Sequence, residues 1–292
     1  MRNIRQILAL LNDHPISESV LSLAAALARR HEASVSALHA VDSAINGAYM
    51  TPEVAAVAVE YAEQSDRDRR HQAAERADKA AKQAGLEIHF SATEGDPLLD
   101  ALAVARCSDL VVLAQPISGD GAPARLAPGL LVRAGVPLLF VPDMPLPRDA
   151  DGRPRCGQRV LVAWSPTRET TRAIHDALPL LAAADQVELL QLVSPDDDPA
   201  DDPLPAVCAH LARHGVNARP QRVVQQQGVG PIGTGWTPDV PVGEALLSHA
   251  ADTNADLIVM GGYGHARAWE LLLGGVTRTL LRSMTVPVLM AH

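Results

Sequence analysis

Aromatic residues are scarce: two Phe, three Trp and three Tyr make up 3% of a 292-residue chain. A core of stacked rings is therefore excluded, and Ala, Val and Leu must fill the interior. That suits helices packed on a parallel sheet better than an all-β sandwich. Cysteine is also sparse. Cys107, Cys156 and Cys208 lie far apart, with no CxxC pair and no zinc-type spacing. Neither a disulfide framework nor a structural metal site is expected, and reduced thiols in a cytoplasmic protein are the simple reading. Basic charge is in deficit, with 25 Lys and Arg against 34 Asp and Glu for a net −9 and a pI near 5.6. This disfavours nonspecific binding to nucleic acid. No stretch approaches the ~20 apolar residues of a membrane span. The apolar run in MRNIRQILALLNDHP is too short for a signal peptide and is interrupted at Asn12-Asp13-His14-Pro15. Walker A, GxSxG, SxxK and protein-kinase signatures are all missing. No nucleophile–base constellation stands out, so neither a catalytic residue nor an enzymatic activity is expected.

What is present is a repeat. Domains of roughly 100–200 residues make two the natural number for this length. In the first half, Ile7–Leu11, Ser34–Val41, Leu86–Ala92, Leu110–Ala114 and Val136–Val141 read as strands. Ser17 is placed to cap a helix ending near Arg30 and His31, and Gly85 to stop one long helix or two over Thr51–Ala84. Pro97–Ala105 reads as a helix with proline in its first turn. The second half repeats the pattern with strands at Val160–Trp164, Val187–Val193, Ala218–Val224, Leu257–Met260 and Val286–Met290. Helices are expected at Thr167–Ala184, Leu204–His214, Val242–Thr253 and Arg267–Met284, with kinks or breaks at Pro179 and Gly274-Gly275. Ser108-Asp109-Leu110-Val111 corresponds to Ala255-Asp256-Leu257-Ile258, and Val136-Pro137-Leu138-Leu139 to Val286-Pro287-Val288-Leu289. An offset of about 150 residues is a duplicated domain and not a solenoid. Pro142–Gln158, with four prolines and two glycines, reads as an exposed connection. The expected organisation is a first domain over 1–145, a linker over 146–157 and a second domain over 158–292. Each is an α/β, doubly wound domain with a five-stranded parallel sheet flanked by helices. In such sheets ligands sit beyond the carboxyl ends of the strands, where the strand order reverses.

After the fourth strand of the second half comes Met260-Gly261-Gly262-Tyr263-Gly264-His265, and nine residues, His265 to Leu273, separate Gly264 from Gly274-Gly275-Val276-Thr277. Glycines permit close backbone approach, and consecutive amides near a helix form a nest for phosphate. This spacing resembles the signature of the universal stress protein family, and the tandem five-strand layout extends the resemblance over nearly the whole chain. The resemblance implies a doubly wound fold of the adenine nucleotide alpha hydrolase type, paired through its last strands. It implies an adenine nucleotide (ATP, ADP or AMP), with Mg²⁺ accompanying it. Carried over, the site residues are Ser165 and Thr167 after the first strand, Val193 at the end of the second, and Met260, Gly261, Gly264, His265, Gly274, Gly275, Val276 and Thr277 in the signature. Self-association, within the chain and as a homodimer, is the implied partnership.

Two positions depart from the family pattern. Ser165 stands where binders carry Asp, and Gly275 where they carry Ser or Thr. Each lost hydrogen bond costs ~0.5–1.5 kcal/mol, more for a charged partner. A nucleotide site and a purely packing role for the glycines therefore remain open alternatives, and a slow ATP hydrolase is a third. The first half lacks the glycine spacing in Gln115–Pro123 and reads as a structural partner. Gly228–Gly233 matches GxGxxG but contains Pro231 and does not lead directly into a helix, which marks an inserted loop or lid. His210 and His214, four apart on a helix, have no evident third ligand. Asp196–Asp202 reads as a solvated acidic loop, and Trp164 and Trp269 as packing residues, with Trp164 beside Ser165.

Overall fold

The computed structural model describes residues 3–41, 52–116, 121–193, 202–224, 239–262 and 275–292. The first half runs β1 (Gln6–Leu11), α1 (Ser17–His31), β2 (Ser34–His39), α2 (Pro52–Ala84), β3 (Ile88–Ala92), α3 (Pro97–Ala105), β4 (Leu110–Ala114), α4 (Gly121–Arg133) and β5 (Leu138–Val141). The second runs β6 (Arg159–Trp164), α5 (Arg168–Ala182), β7 (Gln186–Val193), α6 (Leu204–Arg213), β8 (Ala218–Val224), α7 (Asp239–Asp252), β9 (Leu257–Gly261), α8 (Gly275–Ser283) and β10 (Val288–Ala291).

The strands form one ten-stranded sheet in the order β3-β2-β1-β4-β5-β10-β9-β6-β7-β8. Within each half all pairings are parallel. The halves meet antiparallel, with Val288 opposite Phe140, Leu289 opposite Leu139 and Met290 opposite Leu138. All six of these side chains are fully buried. Two five-stranded sheets have therefore become one, and neither last strand is left as an open edge.

Side chains alternate between two apolar layers, as strand geometry requires. Leu110, Val112 and Ala114 of β4 face the layer holding α1 and α5. Val111 and Leu113 face the layer of α3, α4, α7 and α8. The repeated Asp does the same work twice. The Asp109 carboxylate accepts from the Arg5 and Gln6 amides at 2.8 and 3.0 Å, tying the entry of β1 to that of β4. Asp256 accepts from Gln158 and Arg159 at 2.9 and 3.0 Å and ties β6 to β9.

Helix ends follow the sequence chemistry in most places. Gly85 and Gly215 both take positive φ, +62° and +78°. The next amides reach back to close their helices, Leu86 to the Ala81 carbonyl and Val216 to Leu211, both at 3.1 Å. The Asp96 carboxylate caps α3 ahead of Pro97. Two expectations change, at Ser17 and between β4 and β5, and one alternative is settled. Ser17 is not a cap: α1 starts from Ile16 with no side-chain cap, and the Ser17 hydroxyl turns back to Asn12. The stretch Thr51–Ala84 holds a single helix of 33 residues over Pro52–Ala84. Between β4 and β5 lies α4, which its prolines disguise in the sequence. Pro128 removes a helical hydrogen bond, but Leu126, Leu130 and Leu131 are buried and hold the helix against the sheet.

Candidate functional site

In the second half the strand order reverses between β6 and β9. This is the topological switch point, and it places Ser165, Thr167 and Met260–Gly262 at adjacent carboxyl ends. Thr167 caps α5, its hydroxyl accepting from the Thr170 amide at 3.2 Å. The hydroxyls of Ser165 and Thr170 lie 3.0 Å apart, and those of Thr167 and Thr170 3.1 Å apart. Three neutral hydroxyls thus cluster at the end of β6. Thr170 escaped the sequence reading, though the repeat could have found it. Asn12 and Ser17 of the first half make the same clasp, with the Ser17 hydroxyl donating to the Asn12 carboxamide oxygen at 2.8 Å.

Across the crevice, Gly261 packs against the first turn of α5. A Cβ on it would lie 2.6 Å from the Thr170 nitrogen and 2.8 Å from the Glu169 carbonyl carbon. Gly262 donates its amide to the Ala291 carbonyl at 2.8 Å and lies under Leu131 of α4, whose Cδ2 would be 2.7 Å from an added Cβ. These two glycines let backbone and a neighbouring helix approach closely. Met260 and Val193 are buried and Val276 is half-buried. Thr277 is 4% exposed, which places it inside α8's contact with the core and not on an open face. Gly275 begins α8. Gly264, His265 and Gly274 lie outside the described residues.

Beside this crevice are two buried polar atoms, Trp164 Nε1 and Gln191 Oε1, without a hydrogen-bond partner among the described residues. The two residues are directly opposed in the β6–β7 register and lie on one face of the sheet. They place one donor and one acceptor side by side at strand carboxyl ends.

The first half is closed differently. Asp13, next to Asn12, pairs with buried His39 at 2.9 Å and with Arg69 at 3.2 Å. Burial raises the Asp13 carboxyl, but hydrogen bonds and charge from His39 and Arg69 outweigh that and hold its pKa below the usual carboxylate value. Gln115, the counterpart of Gly262, fills the equivalent place with a side chain. Its amide donates to the Leu281 carbonyl of α8 at 2.7 Å, and its oxygen accepts from the Asp143 amide at 2.8 Å. Asp13, His39, Arg69 and Gln115 are thus engaged within the protein itself.

The sequence model described as the universal stress protein family matches residues 157–292. Residues 157–292 belong to the universal stress protein family. A universal stress protein from Synechocystis is 39% identical over 46 residues, a stretch covering 16% of this chain and 16% of that relative. Among solved structures, a universal stress protein from Archaeoglobus fulgidus superposes with a TM-score of 0.67 at 16% identity, over 98% of this chain and 95% of that one. A putative universal stress protein from Pseudomonas aeruginosa gives 0.53 at 14% identity, over 98% and 92%. At these identities the likeness is one of fold, and it extends over both halves of this chain.

The remaining candidates separate. The His210 ring lies 4.9 Å from that of His214 and 5.1 Å from that of His175 of α5, centroid to centroid. Among the described residues no group of three His, Cys, Asp or Glu is placed to hold a metal ion. Asp202 starts α6 by accepting from the Leu204 amide at 3.0 Å, while Asp196–Asp201, Gly228–Gly233 and Trp269 lie outside the described residues. All three cysteines are free, and burial, with a contribution from Asp256, pushes the Cys156 thiol far up. Among the described residues no helix is long and apolar enough to cross a membrane.

Proposed function

We propose that this chain is a non-catalytic stress-response protein whose second half holds an adenine nucleotide weakly, while its first half serves as a built-in partner. The observation that carries this is the convergence of Ser165, Thr167 and the Gly261–Gly262 bend at the β6/β9 switch point. The Trp164 and Gln191 atoms beside it, unpartnered among the described residues, supply a matching donor and acceptor. Trp164, Gln191 and Val193 would border the base and Ser165 and Thr167 the sugar. Gly275 and Val276, at the start of α8, would face the phosphates. With hydroxyls in place of a carboxylate, binding is expected in the micromolar range or weaker, and among the described residues no general base stands ready for hydrolysis. Mg²⁺ would enter only with the phosphates.

Mass spectrometry of the small molecules released on denaturation tests this reading, together with calorimetric titration of ATP, ADP and AMP. If no nucleotide is released and none binds at millimolar concentration, the reading fails. A second reading is a nucleotide-independent interaction module. The Ser165–Thr170 clasp and the seating of Leu131 on Gly262 favour it, because both tie signature positions into the fold itself. Gly264→Asp separates the two: the first reading expects loss of nucleotide and of the stress phenotype, the second expects neither to change the phenotype.

A further inference from the structure

The connection between the halves is an ordered hairpin and not a loose tether. Arg148 and Pro154 form an antiparallel bridge. The Asp149 amide donates to the Arg153 carbonyl at 2.8 Å, and the Asp149 carboxylate accepts from the Asp151 and Arg153 amides at 3.0 and 2.8 Å. The hairpin leans over α1 and α2 and encloses a groove of about 500 Å³. Five cationic side chains line it, Arg29, Arg76 and Lys79 from the helices and Arg148 and Arg153 from the hairpin, against two carboxylates, Glu18 and Asp151.

That gathering is unexpected in a chain of net charge −9. The carboxylates are engaged through exposed contacts, Lys79 to Glu18 at 3.5 Å and Arg153 to Asp151 at 3.2 Å. Such pairs contribute little and leave donors free. Arg148 bonds the Gly152 carbonyl at 2.5 Å, which holds its head at the turn. Arg29 donates to the Ala84 carbonyl, and Arg76 to the Asp13 carbonyl at 3.3 Å. Like charges converging on an open groove repel unless an anion sits among them, and guanidinium forks match phosphate oxygens. Past Ser19 and Ser22 the groove continues into a recess of about 340 Å³ walled by Ile16, Met144 and Leu146.

We propose that this groove is a second ligand site, specific for a small polyanion with two or more phosphate groups, bound between the hairpin and α1–α2. It lies between the first half and the connecting hairpin and uses none of the residues assigned to the nucleotide. An inorganic polyphosphate and the phosphate end of an organic ester share the required chemistry.

The test is calorimetric titration of the intact protein with tripolyphosphate at fixed ionic strength, beside the double variant Lys79→Gln/Arg153→Gln and the variant Ser22→Glu. Both leave the Arg148–Gly152 bond in place, and circular dichroism checks their folding. Saturable binding to the native protein, weakened at least tenfold in each folded variant with the response to AMP, which carries a single phosphate, unchanged, is the expected result. Equal affinity in the variants, or no binding of tripolyphosphate to the native protein at millimolar concentration, overturns the proposal. Phenyl phosphate binding more tightly than inorganic phosphate would support the site and assign the recess to an organic ester, whereas equal binding of the two would support an inorganic ligand.

Discussion

Replacing Gly261 by Ala tests whether that glycine serves the fold before any ligand. The added Cβ would meet the Thr170 nitrogen at 2.6 Å, the Glu169 carbonyl carbon at 2.8 Å and the Glu169 Cβ at 2.9 Å. Two of these are backbone atoms of α5's first turn, which is fixed by the Thr167 cap. No rotamer change relieves the clash, so α5 must shift from β9, and overpacking of this kind costs about 2–3 kcal/mol. At roughly 2–4 °C per kcal/mol the melting temperature should fall by about 5–10 °C. Other glycines calibrate the scale. At Gly262 the obstacle is the end of the flexible Leu131 side chain, so Ala should cost under ~1 kcal/mol. At Gly243, inside α7, contact with Thr279 at 2.9 Å opposes a helix-propensity gain of about 1 kcal/mol, and the two should nearly cancel. At Gly95 nothing lies within 4 Å, so Ala should be neutral or slightly stabilising. Differential scanning fluorimetry on the four variants without nucleotide reads the order directly. A Gly261→Ala protein melting within a degree of the parent would refute the close approach of α5 to β9.

Further outcomes follow from the same geometry. His31 is 6% exposed with Nε2 unpartnered, and burial, helped by Arg30, lowers its pKa from the ordinary 6.5. The unfolded chain then binds the proton that the folded one refuses, so stability is intact above about pH 6.5 and declines as pH falls through that value. His31→Leu should flatten this part of the profile in urea melts run from pH 7.5 to 5, and parallel profiles for the two proteins would contradict it. Ser165→Asp restores a charged acceptor at the switch point and should tighten ATP binding about tenfold or more by calorimetry. Unchanged affinity would place the nucleotide elsewhere. Phe140→Ala empties a fully buried position on the antiparallel seam and should cost about 3–5 kcal/mol in denaturant unfolding. A loss under 1 kcal/mol would mean the seam is not packed as described.

Most of the individual elements were legible because their causes are local. β4 and β9 are short unbroken apolar runs, as strands covered on both faces must be. α3 has its proline in the first turn behind a capping Asp, and α2 and α6 end at glycines free to take positive φ. α4 was illegible for an equally physical reason: Pro123 and Pro128 argue against a helix, and only burial against the sheet overrides them. Ser17 misled because a serine at a helix start caps by default, whereas here its hydroxyl finds Asn12 at the end of β1.

The candidate site divides along the same line. Its location was readable, because glycines after a parallel strand and polar residues after its neighbour are local patterns, and strand alternation with crossovers brings them together. What each residue does there depends on partners distant in sequence. Gly262 lies under Leu131, Gln115 reaches Leu281, and five basic residues from α1, α2 and the hairpin converge on one groove. Periodicity and turn chemistry act over a few residues and were set by the amino-acid order alone. The merging of two sheets at β5 and β10, the closing of the first half by Asp13, His39 and Arg69, and the burial of Thr277 arise only when remote segments pack, and tertiary structure decided them.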